Sequence, residues 1–265
     1  SLYDQRPDLR FCGRTLLGCP APKGQELEDH YYGQIPERVS SFMRDLNREL
    51  WHIGVSAKTQ HKEVAPNQYE IATVYSPANV AADDNQLVME TIGKVAQHHG
   101  LVSLLHEKPF AGVNGSGKHI NWSISADSTN FLDPGNDPAN NLVFLLTLTA
   151  VITAVDRHAS LLRATVASAG NDLRLGANEA PPAIVSIFLG EELTSLMEML
   201  SGGQKKAKNC GEALNMDSTQ LPKLPKDISD RNRTSPFAFT GNKFEFRMAP
   251  SSESISTAVA VLNAA

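Results

Sequence analysis

Cysteine is scarce. Cys12, Cys19 and Cys210 are the only three in 265 residues, at spacings that make neither a disulfide framework nor a CxxC metal pattern. That usage fits a reducing, cytoplasmic home. Long apolar runs are also missing. The longest, Leu142 to Val155, is interrupted by threonines and falls short of the roughly 20 residues a membrane span requires, so it reads as a buried helix. The opening Ser1-Leu-Tyr-Asp-Gln-Arg6 has no apolar core and does not read as a signal peptide. Nor is there a basic excess. Lys and Arg number 24 against 29 Asp and Glu, a net charge of −5, which argues against a nucleic-acid partner held by phosphate neutralisation. Repeats and low-complexity tracts are absent, and 41% hydrophobic with 20% charged residues is a balance that builds a packed core.

What is present is a mixture of helical and alternating patterns. The first thirty-five residues are rich in turn formers, with one short strand expected near Phe11–Leu17. Pro36 opens a helix in which Val39, Phe42, Met43, Leu46, Leu50 and Ile53 recur at helical spacing, and Gly54 closes it. Val55–Tyr75 reads as two short strands or one bulged strand, broken at Pro66-Asn67. Asn79–His99 reads as a second helix with Gly100 after its end. Strands are expected over Leu101–His106 and His119–Ser125, with a glycine-rich turn between them. Pro138–Arg163 reads as one long apolar helix, Gly190–Leu200 as a shorter one, and 202–230 as a polar surface excursion. Phe244–Met248 reads as a last strand before a helical tail. The order is not a regular β-α-β alternation, so the expected class is α+β, in one domain over 1–265.

Four stretches carry candidate chemistry. In His61-Lys-Glu-Val-Ala-Pro-Asn-Gln-Tyr-Glu70, Glu63 and Glu70 would face opposite sides of a flat strand. A bulge at Pro66-Asn67 would reset the parity and aim both carboxylates one way, as oxygen ligands for Mg²⁺ or Mn²⁺. The plain alternative is two solvated glutamates. Asn114-Gly-Ser-Gly-Lys-His119 offers glycines for positive φ or close backbone approach and an imidazole where a turn enters a strand. It lacks the spacing of a GxxxxGK[ST] phosphate loop, and a hairpin with an exposed histidine remains open. Asn171–Pro182 sets Arg174 and Glu179 among turn formers, suited to a carboxylate and a cation respectively, or to an ordinary surface ion pair. In Lys243-Phe-Glu-Phe-Arg247 the charges share one strand face and the phenylalanines the other. That face could line a metal-bridged polyanion site or simply be the wet side of an amphipathic strand.

Taken together, these segments resemble glutamine synthetase, in wording closest to its long-chain type III class. The segments are Gly24-Gln-Glu-Leu-Glu-Asp-His30, Glu63-Val-Ala-Pro-Asn-Gln-Tyr-Glu70, Glu107-Lys-Pro-Phe-Ala-Gly-Val-Asn-Gly-Ser-Gly-Lys-His119, Ala169-Gly-Asn-Asp-Leu-Arg-Leu-Gly-Ala-Asn-Glu-Ala-Pro181, and Arg231-Asn-Arg-Thr-Ser-Pro through Lys243-Phe-Glu-Phe-Arg247. They occur in the family's order. The resemblance implies a catalytic domain of the glutamine synthetase/guanido kinase type, with a curved, mainly antiparallel sheet lining the active site and helices packed outside. It also implies ATP-dependent ligation of ammonia to glutamate through a γ-glutamyl phosphate, with two Mg²⁺ or Mn²⁺ ions.

By position, Glu63 and Glu70 match ligands of one ion, and His119 and Glu245 ligands of the other. Asn114 and Gly115 match the glutamate-binding loop. Arg174 and Arg247 match arginines that hold the glutamate carboxylates. Glu179 matches a flap glutamate that shields the acyl phosphate and helps deprotonate ammonium. Arg233 and Lys243 match positions near the ATP phosphates, and Asn121 and Ser123 the strand beside the nucleotide. The resemblance further implies a homo-oligomeric ring with sites shared between subunits, and neither nucleic acid nor membrane as partner. Two departures stand out: the Glu63–Glu70 interval is one residue shorter than in the commoner classes, and Ala238 occupies a position where those classes carry an arginine. Each ion also takes a further glutamate from a strand that would precede Ser1, so a catalytic-domain fragment with little turnover of its own is expected. The alternatives are a γ-glutamyl-amine ligase using the same machinery, or a non-catalytic metal- or nucleotide-binding remnant.

Overall fold

The computed structural model describes residues 6–12, 15–18, 31, 33–178, 180–202 and 235–265. They form two compact units. The first is drawn from Ser1–Gly117, Ser168–Glu179 and Pro250–Ala260, the second from Lys118–Ala167, Ala180–Ala249 and Val261–Ala265.

The first unit begins with a short helix α1 (Pro7–Cys12). Helix α2 (Glu37–His52) follows Pro36, whose fixed φ pre-organises the first turn, with Glu37 favourably placed at the positive end of the helix dipole. Its buried residues Phe42, Met43, Leu46 and Leu50 recur at i, i+3 and i+4 and so form one stripe. That stripe packs with Val88, Val95 and Ala96 of α3 (Ala78–His98) and with Val55 and Ala57 in one core cluster. Both helices end as expected, with Gly54 and Gly100 in left-handed conformations at φ 88° and 60°. Strands β1 (Ala57–Lys62) and β2 (Tyr69–Thr73) form an antiparallel hairpin. A short helix α6 (Ala169–Arg174) is capped by Ser168, whose hydroxyl accepts the Asn171 N–H.

The second unit holds most of a four-stranded sheet in the order β3-β8-β7-β6, built from β3 (Gly117–Trp122), β6 (Ile187–Phe188), β7 (Phe237–Phe239) and β8 (Phe244–Pro250). β6 and β7 run parallel, and β7 and β8 antiparallel. A second small ribbon, β4 (Ser125–Ala126) against β5 (Thr129–Asn130), turns through Asp127 and Ser128, both at positive φ, as a two-residue hairpin loop demands. Phe237, Phe239, Phe244 and Phe246 are fully buried. Phe237 stacks on Phe244 with centroids 4.5 Å apart, and Phe144 of α4 (Leu142–Arg157) meets Phe239 at 5.9 Å. The Asn141 side chain caps α4 by accepting the Phe144 N–H. The remaining helices are α5 (Ala159–Ala164), α7 (Gly190–Leu200) and α8 (Ser256–Ala264). No described helix is long and apolar enough to cross a membrane.

Several sequence expectations are corrected. Phe11 and Cys12 end a helix rather than starting a strand, and the described residues 15–18 are not extended into one. Leu101–His106 alternates half-buried and exposed like a strand but pairs with none among the described residues, because alternation specifies a conformation and only a ladder partner makes it a sheet. The expected long helix over Pro138–Arg163 is two helices, since it starts after the Asn141 cap and breaks at His158. Of the two readings of Val55–Tyr75, the two short strands hold, and the residues near Pro66-Asn67 form a hairpin turn instead of the bulge invoked to align Glu63 with Glu70. Glu63 N–H donates to Gln68 O and Gln68 N–H to Ala65 O, with Asn67 at φ 55°, a conformation asparagine tolerates. The β8 charges are not on a wet side either: Arg247 is buried and the Glu245 side chain is mostly so. The 202–230 excursion lies outside the described residues beyond Gly202.

The aromatic layer sets an expected stability hierarchy. Phe246→Ala should cost about 3–5 kcal/mol, whereas Tyr75→Ala, at 95% exposure, should stay within about 0.5 kcal/mol. Urea unfolding of the two variants beside the parent checks the ordering.

Candidate functional site

In the first unit the hairpin register does the positioning. His61 pairs directly with Glu70 across the β1–β2 ladder, so both side chains leave the same face. His61 Nε2 lies 2.7 Å from Glu70 Oε2, and its Nδ1 lies 2.9 Å from the Lys62 carbonyl and 3.6 Å from Glu63 Oε1. His61, Glu63 and Glu70 each offer a ligand atom within 4.8 Å of the others'. Two carboxylates and an imidazole fit a divalent cation by chemistry as well as spacing. The turn thus solves the parity problem that the sequence raised: Glu63 and Glu70 meet across a hairpin instead of along one strand. Lys62 projects to the opposite face, is buried, and has its pKa lowered by that burial.

A second cluster of the same unit surrounds Arg174. This residue sits on α6, not in a loop as expected, and is 4% exposed. Burial lowers its pKa to about 10 against the opposing pull of Glu107. Its Nη1 donates to Asn171 Oδ1 at 3.2 Å. Glu107 is itself buried. Its Oε1 accepts the Ser252 N–H at 2.8 Å and the Ser252 hydroxyl at 2.6 Å. Burial alone would raise the Glu107 pKa, but these bonds leave it lowered. The glycine loop wraps this pair. The Glu107 carbonyl accepts the Ser116 N–H at 2.8 Å, and Gln68 donates to the Gly115 carbonyl at 2.7 Å. A Cβ at Gly117 would fall 2.1 Å from Arg174 Cζ, and one at Gly115 only 2.2 Å from the Glu107 carbonyl oxygen. Neither glycine has positive φ. Of the two uses the sequence allowed them, close approach is the one realised. Asn114, beside them, is buried.

In the second unit, β3 and β8 present the chemistry. His119 and Asn121 alternate with buried Ile120 on β3, and Ser123 lies just past its end. His119 Nδ1 is 2.8 Å from Glu245 Oε1, while Arg247 Nη2 donates to Glu245 Oε2 at 3.0 Å. Both carboxylate oxygens of Glu245 are therefore engaged. Burial would raise its pKa, but the His119 and Arg247 bonds and charges bring it down to about 2. Lys243 stands before β8, where its carbonyl accepts the Thr240 N–H and its Nζ lies 3.5 Å from Asn242 Oδ1. It shows no bond to the Glu245 cluster. Glu179 and Arg233 lie outside the described residues.

Two residues that the sequence did not single out stand within these clusters. His61 carried a signal, since it lies two residues from Glu63. Glu107 did not, because nothing local says that a glutamate before Lys-Pro is buried against Ser252.

Residues 17–183 match the family described as glutamine synthetase, catalytic domain. The chain belongs to the glutamine synthetase family. It is 53% identical over 98% of its length to a type-3 glutamine synthetase of Dictyostelium discoideum, covering 36% of that protein. It is 57% identical over 92% of its length to a glutamine synthetase of Butyrivibrio fibrisolvens, covering 35% of it. The chain thus spans about a third of these relatives' length. The fold aligns with the cryo-EM structure of Plasmodium falciparum glutamine synthetase at a TM-score of 0.65 and 17% identity, over 89% of this chain and 39% of that one. The α+β class expected from the sequence agrees with this glutamine synthetase fold.

The Glu245 shift makes a pH prediction. A carboxyl whose folded pKa lies below its ordinary 4.5 contributes stability that is present above that value and lost as pH falls toward about 2. Urea unfolding of this glutamine synthetase-family chain and its Glu245→Gln variant, at neutral pH and near the lower end of that window, should show a smaller acid loss in the variant. Equal losses would remove the carboxylate from this role.

Proposed function

We propose that the chain is the catalytic part of an ATP-dependent glutamate–ammonia ligase. Membership of the glutamine synthetase family carries this reading, and the buried charge clusters give it physical content. In the reaction proposed, a γ-carboxylate oxygen of glutamate attacks the γ-phosphorus of ATP, and ADP leaves. Ammonia then attacks the γ-carbonyl carbon of the resulting γ-glutamyl phosphate, releasing inorganic phosphate and glutamine.

Phosphoryl transfer asks a protein mainly for positioning and charge neutralisation. Bound Mg²⁺ or Mn²⁺ would supply neutralisation of phosphate charge, with Glu63 and Glu70 holding one ion and His119 and Glu245 the other. Arg174, beside Asn114 and Gly115, would bind a glutamate carboxylate, and Arg247 would do the same from its own unit. Their burial supports this, because a desolvated guanidinium binds a carboxylate more strongly than an exposed one. Glu179 would attract ammonium, accept its proton and keep water from the acyl phosphate. Arg233, Lys243, Asn121 and Ser123 would contact the nucleotide. The proposal includes a homo-oligomeric ring with sites shared between subunits, and a cytoplasmic setting.

The test is glutamine formation by the complete polypeptide carrying these residues, with ammonium competing against methylamine. ATP- and glutamate-dependent glutamine production supports the reading, and preferential γ-glutamyl-methylamide formation or no ligation overturns it. Arg247→Ala should raise the glutamate KM about 10- to 100-fold, the loss expected of a charge-assisted bond. Gly117→Ala should do likewise with little loss of stability. The three atoms nearest its Cβ all belong to the guanidinium of Arg174, so the cation is displaced first. An unchanged glutamate KM in either variant would count against the arginine assignments.

A further inference from the structure

We propose that Glu107 is a positioning residue for glutamate binding: its carboxylate, pinned by Ser252, fixes the pose of the Arg174 guanidinium. The inference rests on the reading of Arg174 as a glutamate-binding residue and extends that reading to the group that holds it.

Every part of the arrangement lies in the first unit. Glu107 is 2% exposed and Arg174 4%, so neither can exchange its surroundings for water. The Glu107 carboxylate is held at both oxygens. Oε1 accepts the Ser252 N–H at 2.8 Å and the Ser252 hydroxyl at 2.6 Å. Oε2 fills the space that a side chain at residue 170 would take, since a Cβ on Gly170 would stand 2.4 Å from it. Gly170 and Arg174 are four residues apart on α6 and so share a face. Cα–Cβ bonds tilt toward a helix N-terminus, which sets Arg174 over the turn that holds Gly170. The carboxylate is thus docked on the face from which the arginine projects, and its charge opposes the effect of burial on that arginine.

The main chain of Glu107 reaches the same arginine. Its carbonyl accepts the Ser116 N–H. A Cβ on Gly115 would stand 2.2 Å from that carbonyl oxygen and 3.3 Å from Arg174 Cγ. The stem of the arginine and the backbone of Glu107 therefore crowd one point, and the guanidinium crowds a second at Gly117. A guanidinium is a planar fork that grips a carboxylate only when it is aimed. The glycine slot confines the fork, and the Glu107 charge sets where it faces. Repulsion between Glu107 and an incoming anion is weakened because Oε1 already accepts two Ser252 donors. Positioning then outweighs repulsion, and losing the charge weakens binding.

Calorimetric titration of the complete polypeptide with glutamate, and separately with ATP, reads this role without turnover. Glu107→Gln keeps an oxygen acceptor for Ser252 and removes the charge. It should weaken glutamate binding about tenfold, within the coupling expected of neighbouring residues, and leave ATP binding within about twofold. Gly170→Ala should do the same. It improves helix propensity, and the three atoms nearest its Cβ all belong to Glu107. If Glu107→Gln does not fold, Gly170→Ala is read in its place. In an Arg174→Lys background either change should no longer weaken glutamate binding, because a point charge has no fork to aim. Parent-like glutamate affinity in Glu107→Gln and Gly170→Ala, a loss shared equally by ATP, or the full loss persisting beside Arg174→Lys overturns the inference. The Arg174 assignment survives those results provided that Arg174→Ala weakens glutamate binding. Parent-like glutamate affinity in Arg174→Ala overturns both.

Discussion

Burying a charge is the constraint around which both units are organised. An ion taken out of water is tolerated only when acceptors or counter-charges replace its hydration. Arg174 and Arg247 are each more than nine-tenths buried, and each has a carboxylate close enough to interact: Glu107 acts on Arg174, and Glu245 bonds Arg247. Those carboxylates need donors in turn. Glu107 takes them from Ser252, and Glu245 from His119 and Arg247. The requirement passes outward until it reaches backbone. The Ser116 N–H on the Glu107 carbonyl and the missing Cβ atoms of Gly115, Gly117 and Gly170 are part of the same arrangement. The glycine-rich loop is thus shaped by the charge it encloses.

The sequence made the regular elements legible where a local signal marked both ends. Helix α2 is bounded by Pro36 and Gly54, α3 ends before Gly100, and α7 matches its predicted span. Legibility failed where the decision was not local. Leu101–His106 has the alternation of a strand, yet no partner pairs with it among the described residues. The break at His158 interrupts an apolar run that has no proline or glycine to announce it. Pro66-Asn67 was correctly marked as an interruption, but a bulge and a tight turn use the same residues. Only the pairing of His61 with Glu70 separates them.

The candidate site was legible in a different way. The ordered segments identified the family, and family membership follows independently from the match over 17–183. Burial was not legible. An arginine in Lys-Phe-Glu-Phe-Arg reads as the wet face of an amphipathic strand, yet Arg247 is buried and bonded to Glu245. Glu107 illustrates the same limit, since its environment is made by Ser252, 145 residues away in the chain.

The two carboxylate clusters also differ in how ready they are. Glu245 has both oxygens committed and is held ionised well below its ordinary range. Its negative charge is fixed before any ligand arrives, which is the preorganisation that electrostatic catalysis exploits. Glu70 is different. It is 44% exposed on its side chain and, among the described residues, leans on a single histidine nitrogen. Water can still solvate it, so nothing in its surroundings forces one rotamer. A group held by one contact is a group that can move to accept another. On this argument the hairpin cluster is the adaptable one, and the Glu245 cluster the preset one.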